Sequence, residues 1–225
     1  MTSLAPPPPA TGTRHDAAVT VFLPGHPFSR AELHAMTVDG VLRRELLGAH
    51  VHAWHPVSHA LRAAVLGRVL PGHLQRRGVL GRMGAAWFYR CAPEPDPVPV
   101  LVDKSARTTT TVPSGIVLHQ TSFAPEDLVV HHGITLTTPR RTALDLALHV
   151  PGPPGDAALL AMLGHARLSC SSAQLIRDLE TMPKTPGRRA ALARVRKLDR
   201  ALGGTTAVPR SGRCLLYTSP SPRDR

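Results

Sequence analysis

Apolar positions recur along this chain at two spacings, one helical and one alternating, and the change from one to the other predicts the order of elements. Residues 1–24 show neither spacing. They are rich in Pro, Thr and Ala, and the run Pro6-Pro7-Pro8-Pro9 denies the backbone both a helix and a ladder, so the segment reads as a disordered leader. Ser29 followed by Glu32 is a capping box, which predicts a short helix over Arg30 to Met36. Thr37 to Gly40 breaks it. The apolar set Val41, Leu42 and Leu46, with Arg43, Arg44 and Glu45 between, predicts a second short helix over Val41 to Leu47, and the alternation from Ala49 to Trp54 predicts an edge strand. Helix, turn, helix, strand is a winged-helix outline.

Further on, His59 to Leu70 is apolar at helical spacing and closes at Pro71-Gly72, and a second helix is predicted over Val79 to Tyr89. Pro93 to Pro99 reads as an extended linker. Val98 to Val102, Gly115 to Gln120 and Leu128 to Leu136 then read as strands of a small mixed sheet. Thr138-Pro139 opens the next helix, because Thr caps it and Pro is tolerated in the first helical turn. Two packing helices are predicted over Asp156 to Ala166 and Ser172 to Thr181, and a last one over Gly187 to Leu202. The whole is an α+β fold: a winged helix-turn-helix at the N-terminus followed by a mostly helical domain with a small mixed sheet. The boundaries predicted are 25–56 for the winged-helix region, 57–182 for the α/β domain, and 183–213 for a basic helix and linker.

Charge narrows the partners. The 225 residues carry 27 Lys+Arg against 15 Asp+Glu, a formal +12, which points to a polyanion. Between Thr181 and Arg213 there are nine basic residues and a single acid, Asp199. Arg outnumbers Lys 24 to 3, Asn is absent and Ile occurs only at 116, 134 and 176, the bias of a GC-rich genome, so part of the Arg excess is compositional background. Cysteines at 91, 170 and 214 are too few for a disulfide framework. No window reaches the roughly 18 to 20 apolar residues of a membrane span, and no apolar stretch stands where a signal peptide would have one, so a cytoplasmic protein without membrane contact is expected. Residues 214–224 resemble a translated frame of the adapter used in transposase-based sequencing libraries. Residues 214–225 are therefore read as an artefactual tail on a truncated gene product.

Three stretches carry a family resemblance. The segment from Phe28-Ser29-Arg30-Ala31 to Leu42-Arg43-Arg44-Glu45-Leu46, the helix Gly84-Ala85-Ala86-Trp87, and above all Gly133 to Ala147 with its Thr138-Pro139-Arg140-Arg141-Thr142-Ala143-Leu144-Asp145-Leu146-Ala147 resemble the AbiEi-type antitoxins of type IV toxin–antitoxin systems, in particular the actinobacterial members. The resemblance implies a DNA-binding autorepressor, acting on its own promoter and countering a nucleotidyltransferase-type toxin without a stable complex. Many such relatives continue into a very-short-patch-repair-like endonuclease domain. Val208-Pro209-Arg210-Ser211 is only faintly similar to the segment that introduces it, so the alternative is the recognition portion of such a nuclease. A non-DNA interaction module remains a third reading.

Arg30, Arg43, Arg44 and His52 are the candidate DNA contacts near the N-terminus, since guanidinium forks suit guanine edges and phosphates. Arg188, Arg189, Arg194, Arg196, Lys197 and Arg200 on the last helix are candidates for phosphate neutralisation. Thr138, Pro139, Arg141, Thr142 and Asp145 read as structural, because Arg141 and Asp145 lie one helical turn apart and can simply pair. His50, His52, His55 and His59 lack an accompanying acid or cysteine, so contact with phosphate or solvent is expected rather than a metal. His131, His132 and Cys91 read as packing or surface residues, and Asp96 and Asp103 as ordinary charges. Neither a phosphate loop nor a nucleophile motif is present, so no catalytic residue and no cofactor is expected.

Overall fold

The computed structural model of the protein describes residues 19–25, 27–105 and 112–205. The leader up to residue 18, the linker from 206 to 213 and the tail at 214–225 lie outside the described residues.

The Ser29 hydroxyl accepts from Glu32 N at 3.2 Å while the Glu32 carboxylate accepts from Ser29 N at 2.7 Å, and this reciprocal cap starts α1 (Arg30–Val38). Leu33 is the one buried residue of that helix. The helix expected over Val41 to Leu47 does not form. Its residues make β1 (Leu42–Arg44) and a 3-10 turn (Leu46–Gly48), which leads into β2 (His50–His52). Two conformations decide this: Leu47 and Gly48 both have positive φ, 56° and 74°, a pair that reverses the chain and ends any α-helix. β1 and β2 pair antiparallel, with Arg43 opposite Val51 and Arg44 opposite His50. Phe22 bridges His50 on the other edge of β2.

Ser58 caps α2 (His59–Val69) by accepting from Leu61 N at 3.1 Å. A short α3 (Gly72–Arg77) follows. The helix expected from Val79 starts later, because Val79–Leu80 are strand β3 and α4 covers Arg82–Phe88. β4 (Val98–Asp103) and β5 (Ile116–Thr121) lie near their expected positions. The single strand expected over Leu128 to Leu136 is a hairpin of β6 (Leu128–His131) and β7 (Ile134–Thr137), turned by His132 and Gly133 at φ 48° and 80°. Positive φ at both turn residues matches the twist of the flanking strands. The five-stranded sheet runs β5-β4-β3-β7-β6, with β4 parallel to β5, β3 antiparallel to β4 and parallel to β7, and β7 antiparallel to β6.

Four helices complete the described residues: α5 (Pro139–His149), α6 (Pro153–Gly164), α7 (Ser172–Thr181) and α8 (Arg188–Thr205). α5 packs on α4, α6 and α8, and α7 packs on α8. The fold is α+β. One buried apolar cluster joins Leu46 and Val51 of the hairpin to Leu66, Phe88, Val100 and Leu136, and onward to Leu146, Leu159 and Val195 of the helices. The hairpin therefore shares its core with the sheet instead of standing on one of its own. No helix among the described residues is long and apolar enough to cross a membrane.

Candidate nucleic-acid interface

Arg43 lies in a three-residue strand, so its neighbours in sequence point away from it and its side chain lies on the Val51 side, toward the core. Its Nε donates to the Glu45 carboxylate at 2.9 Å, and its two terminal nitrogens donate to the Ala53 and His55 carbonyls at 3.2–3.3 Å. The guanidinium clamps the neck of the hairpin, where the buried Glu45 needs a counter-charge, and is not free in solvent as a groove contact would be. Arg44 behaves otherwise. It is 64% exposed and lies 3.9 Å from Glu94, a loose pair in solvent. Arg30 is exposed at the start of α1, and His52 is half-buried, its ring between Phe22 and Trp54.

Trp54, which the sequence reading passed over, is 67% exposed. Its ring lies 4.0 Å from the His55 ring and stacks on His52 at 5.6 Å, and Val38 and Val41 are exposed beside this end of the hairpin, where Ala53 N bonds to Val41 O. The signal was available: Trp54 follows the last alternating residue of the strand, outside any buried spacing.

The basic helix divides in the same way. Arg194 faces inward, 14% exposed, held by Asp156 and by the carbonyls of Leu146 at 3.0 Å and Ala147 at 3.3 Å. It ties α8 to the ends of α5 and α6 and does not present its charge to solvent as the expected phosphate contacts would. Arg188 donates to the Met182 carbonyl, Arg196 pairs with Glu180 at 2.6 Å, and Arg200 Nε donates to Arg196 O at 3.2 Å. Arg189 and Lys197 are exposed and have no acidic partner among the described residues. Lys184, Arg188 and Arg189 line an open depression of about 630 Å³ at the start of α8. Arg76 and Arg77 at the end of α3, and Lys104 after β4, are further exposed cations without an acidic partner among the described residues.

The Thr-Pro segment is tied together within the chain. The Thr138 hydroxyl caps α5 at Arg141 N, 3.4 Å away. The Thr142 hydroxyl lies 2.7 Å from that of Thr137 and donates to the Thr137 carbonyl at 3.1 Å, and the same carbonyl accepts from the Tyr89 hydroxyl at 2.8 Å. Arg141 donates to Asp145 at 3.0 Å, to Asp127, to the Thr121 hydroxyl at 3.3 Å and to Ser122 O at 3.4 Å, with its guanidinium over the Phe123 ring. Arg140 pairs with Asp178 of α7. Burial pushes the Asp145 carboxyl up against the pull of Arg141, and its second oxygen has no hydrogen bond among the described residues.

His50 and His59 are held below the ordinary histidine value chiefly by burial. Among the described residues, no group of three or more His, Cys, Asp or Glu is placed to hold a metal ion. In comparisons with known proteins, no family model matches the chain and no curated protein matches it.

Proposed function

We propose that the chain binds double-stranded DNA and acts in the cytoplasm as an antitoxin-type autorepressor of a type IV toxin–antitoxin system, with a nucleotidyltransferase-type toxin as its functional partner and no stable complex between them. The observation that carries the DNA part is the set of exposed cations around α8 with no acidic partner among the described residues, Lys184, Arg189 and Lys197. Such side chains neutralise phosphates and release counterions at no internal cost, whereas Arg43 and Arg194 would have to abandon partners within the chain. The antitoxin part rests on the resemblance carried by Thr138, Pro139, Arg141, Thr142 and Asp145.

In this reading α1 and the β1–β2 hairpin are a winged-helix derivative in which the hairpin meets the duplex. Arg44, His52 and Trp54 stand at its surface, and Arg30 stands on the adjoining helix. Fluorescence anisotropy with a duplex from the gene's own promoter, titrated with salt, tests it. Log affinity is expected to fall linearly with log salt, and Arg189→Ala and Lys197→Ala each reduce the slope by about one. An affinity indifferent to salt between about 50 and 200 mM rules the reading out.

A further inference from the structure

Away from α8 and the hairpin, one cavity of about 440 Å³ gathers three basic side chains from three elements: Arg82 from α4, His119 from β5 and His149 from α5. Met83, Pro99, Val117 and Val150 supply its apolar wall. Its size is that of a small-molecule site, and its lining is of the same kind, mostly apolar with a few convergent polar groups.

Arg82 is held there by unusual means. It has φ 51°, a backbone conformation that a side-chain-bearing residue adopts only when its surroundings enforce it. Its Nε is buried and has no hydrogen-bond acceptor among the described residues. Burial disfavours its charge on balance and nearby Asp145 offsets part of that, while the second Asp145 oxygen is also left without a donor among the described residues. The guanidinium of Arg82 thus lines the cavity together with two imidazoles, and its Nε leaves part of its hydrogen-bonding capacity unused by the described residues.

We propose that this cavity binds a small organic phosphate monoester. The phosphate head takes the three basic groups, which sit on separate elements and match three terminal oxygens better than the two of a carboxylate, and the organic body lies on Met83, Pro99, Val117 and Val150. Glu94 and Asp96 are the acids on the rim. Glu94 is already engaged, accepting from Leu47 N at 3.0 Å and lying 3.9 Å from Arg44, and Asp96 is exposed to solvent. Partial burial and the neighbouring Arg82 hold both imidazoles below their ordinary value, with each other's charge adding to this at His119 and Arg141 adding at His149. Both are therefore largely neutral at pH 7, and a bound dianion draws protons onto them.

Calorimetry on the full chain with phenyl phosphate, inorganic phosphate and benzoate tests the proposal. It is run in two buffers of different ionisation enthalpy, so that proton uptake is read directly. Phenyl phosphate is expected to bind saturably, more tightly than either other probe, with net proton uptake and with affinity rising as the pH falls from about 8 to about 6. Arg82→Gly relieves the strained backbone while removing the cation, and His149→Gln changes the last residue of α5, a partly covered position that solvent still reaches. Each is expected to weaken phenyl phosphate about tenfold or more, the size of one lost charge-assisted contact, and His149→Gln also diminishes the proton uptake. Arg167→Ala, an equal change of charge outside the cavity, leaves binding as it was. The proposal is overturned if phenyl phosphate gives no saturable heat up to about 10 mM, weaker than any specific site of this size. It also falls if inorganic phosphate or benzoate binds as tightly, or if both cavity variants, folded by circular dichroism, bind like the parent. DNA binding plays no part in these readouts, so the two readings stand or fall separately.

Discussion

Arg43 donates to Glu45 two residues along the chain, at 2.9 Å, and through that contact the most conspicuous cation of the N-terminal segment becomes a fastening of the hairpin. Glu45 is buried and Arg43 is 32% exposed, so the pair is partly screened on one side. Arg43→Ala is expected to cost about 2 kcal/mol, less than a fully buried pair because solvent reaches the guanidinium. Urea denaturation measures it, and a cycle with Glu45→Ala separates the pair from the carbonyl contacts. Additive losses in that cycle would mean the pair is not coupled.

The strand at Arg43, where the spacing predicts a helix, has a physical source. Val41, Leu42 and Leu46 satisfy a helical spacing, and the features that defeat the helix are backbone conformations at Leu47 and Gly48, of which the sequence displays a single glycine. Strand β3 was hidden for another reason: two residues buried on both faces show no alternation. The β6–β7 hairpin reads as one strand in the sequence because apolar residues lie on both sides of His132-Gly133, although that pair is itself a two-residue turn signal. Where a side chain declares itself, as with Ser29 and Glu32 or Thr138-Pro139, the helix start was readable to within a residue or so. The cavity around Arg82 was not legible at all, because Arg82, His119 and His149 are separated in sequence and meet through the sheet.

Arg189 and Arg194 separate charge used outward from charge used inward. Arg194→Met is expected to destabilise the chain by about 2 kcal/mol, since it strips Asp156 and two carbonyls of a partner, and to leave the salt slope of DNA binding unchanged. Arg189→Ala should do the reverse, with thermal melting unmoved and the slope reduced. A matched pair of melting curves and salt titrations distinguishes them, and an altered slope for Arg194→Met would contradict the assignment.

Gly81 precedes α4 at a close approach. A Cβ there would lie 2.2 Å from Leu101 Cδ1 and 2.6 Å from its Cγ. Gly81→Ala is expected to cost about 2 kcal/mol through displacement of Leu101, as overpacking of a dense core does. Leu101→Ala in the Gly81→Ala background relieves the clash, and a double variant no more stable than the sum of the singles would exclude this cause.

Acid should weaken the fold before the carboxylates titrate. The folded protein holds His50 and His59 below their ordinary value, so below about pH 6.5 the unfolded chain binds more protons than the folded one. The stability they lend is complete above that pH and is lost as the pH falls through 6.5 toward their folded values. Urea midpoints at pH 7.5, 6.5 and 5.5 should fall in that order, and His59→Phe should flatten the lower part of the trend; a midpoint that rises on acidification would refute it.

Strand β3 is two residues long, yet it is the only strand of the five that touches both the parallel couple on one side and the β6–β7 hairpin on the other. Its link to β7 rests on Leu80 facing Leu136, partners separated by more than fifty positions of chain. Each flanking unit can assemble from nearby segments, but joining them requires that distant encounter, which makes it the step most delayed by loop-closure entropy. Refolding should therefore show its largest slowing when Leu80 is trimmed, and the sheet behaves kinetically as two plates riveted at one late point.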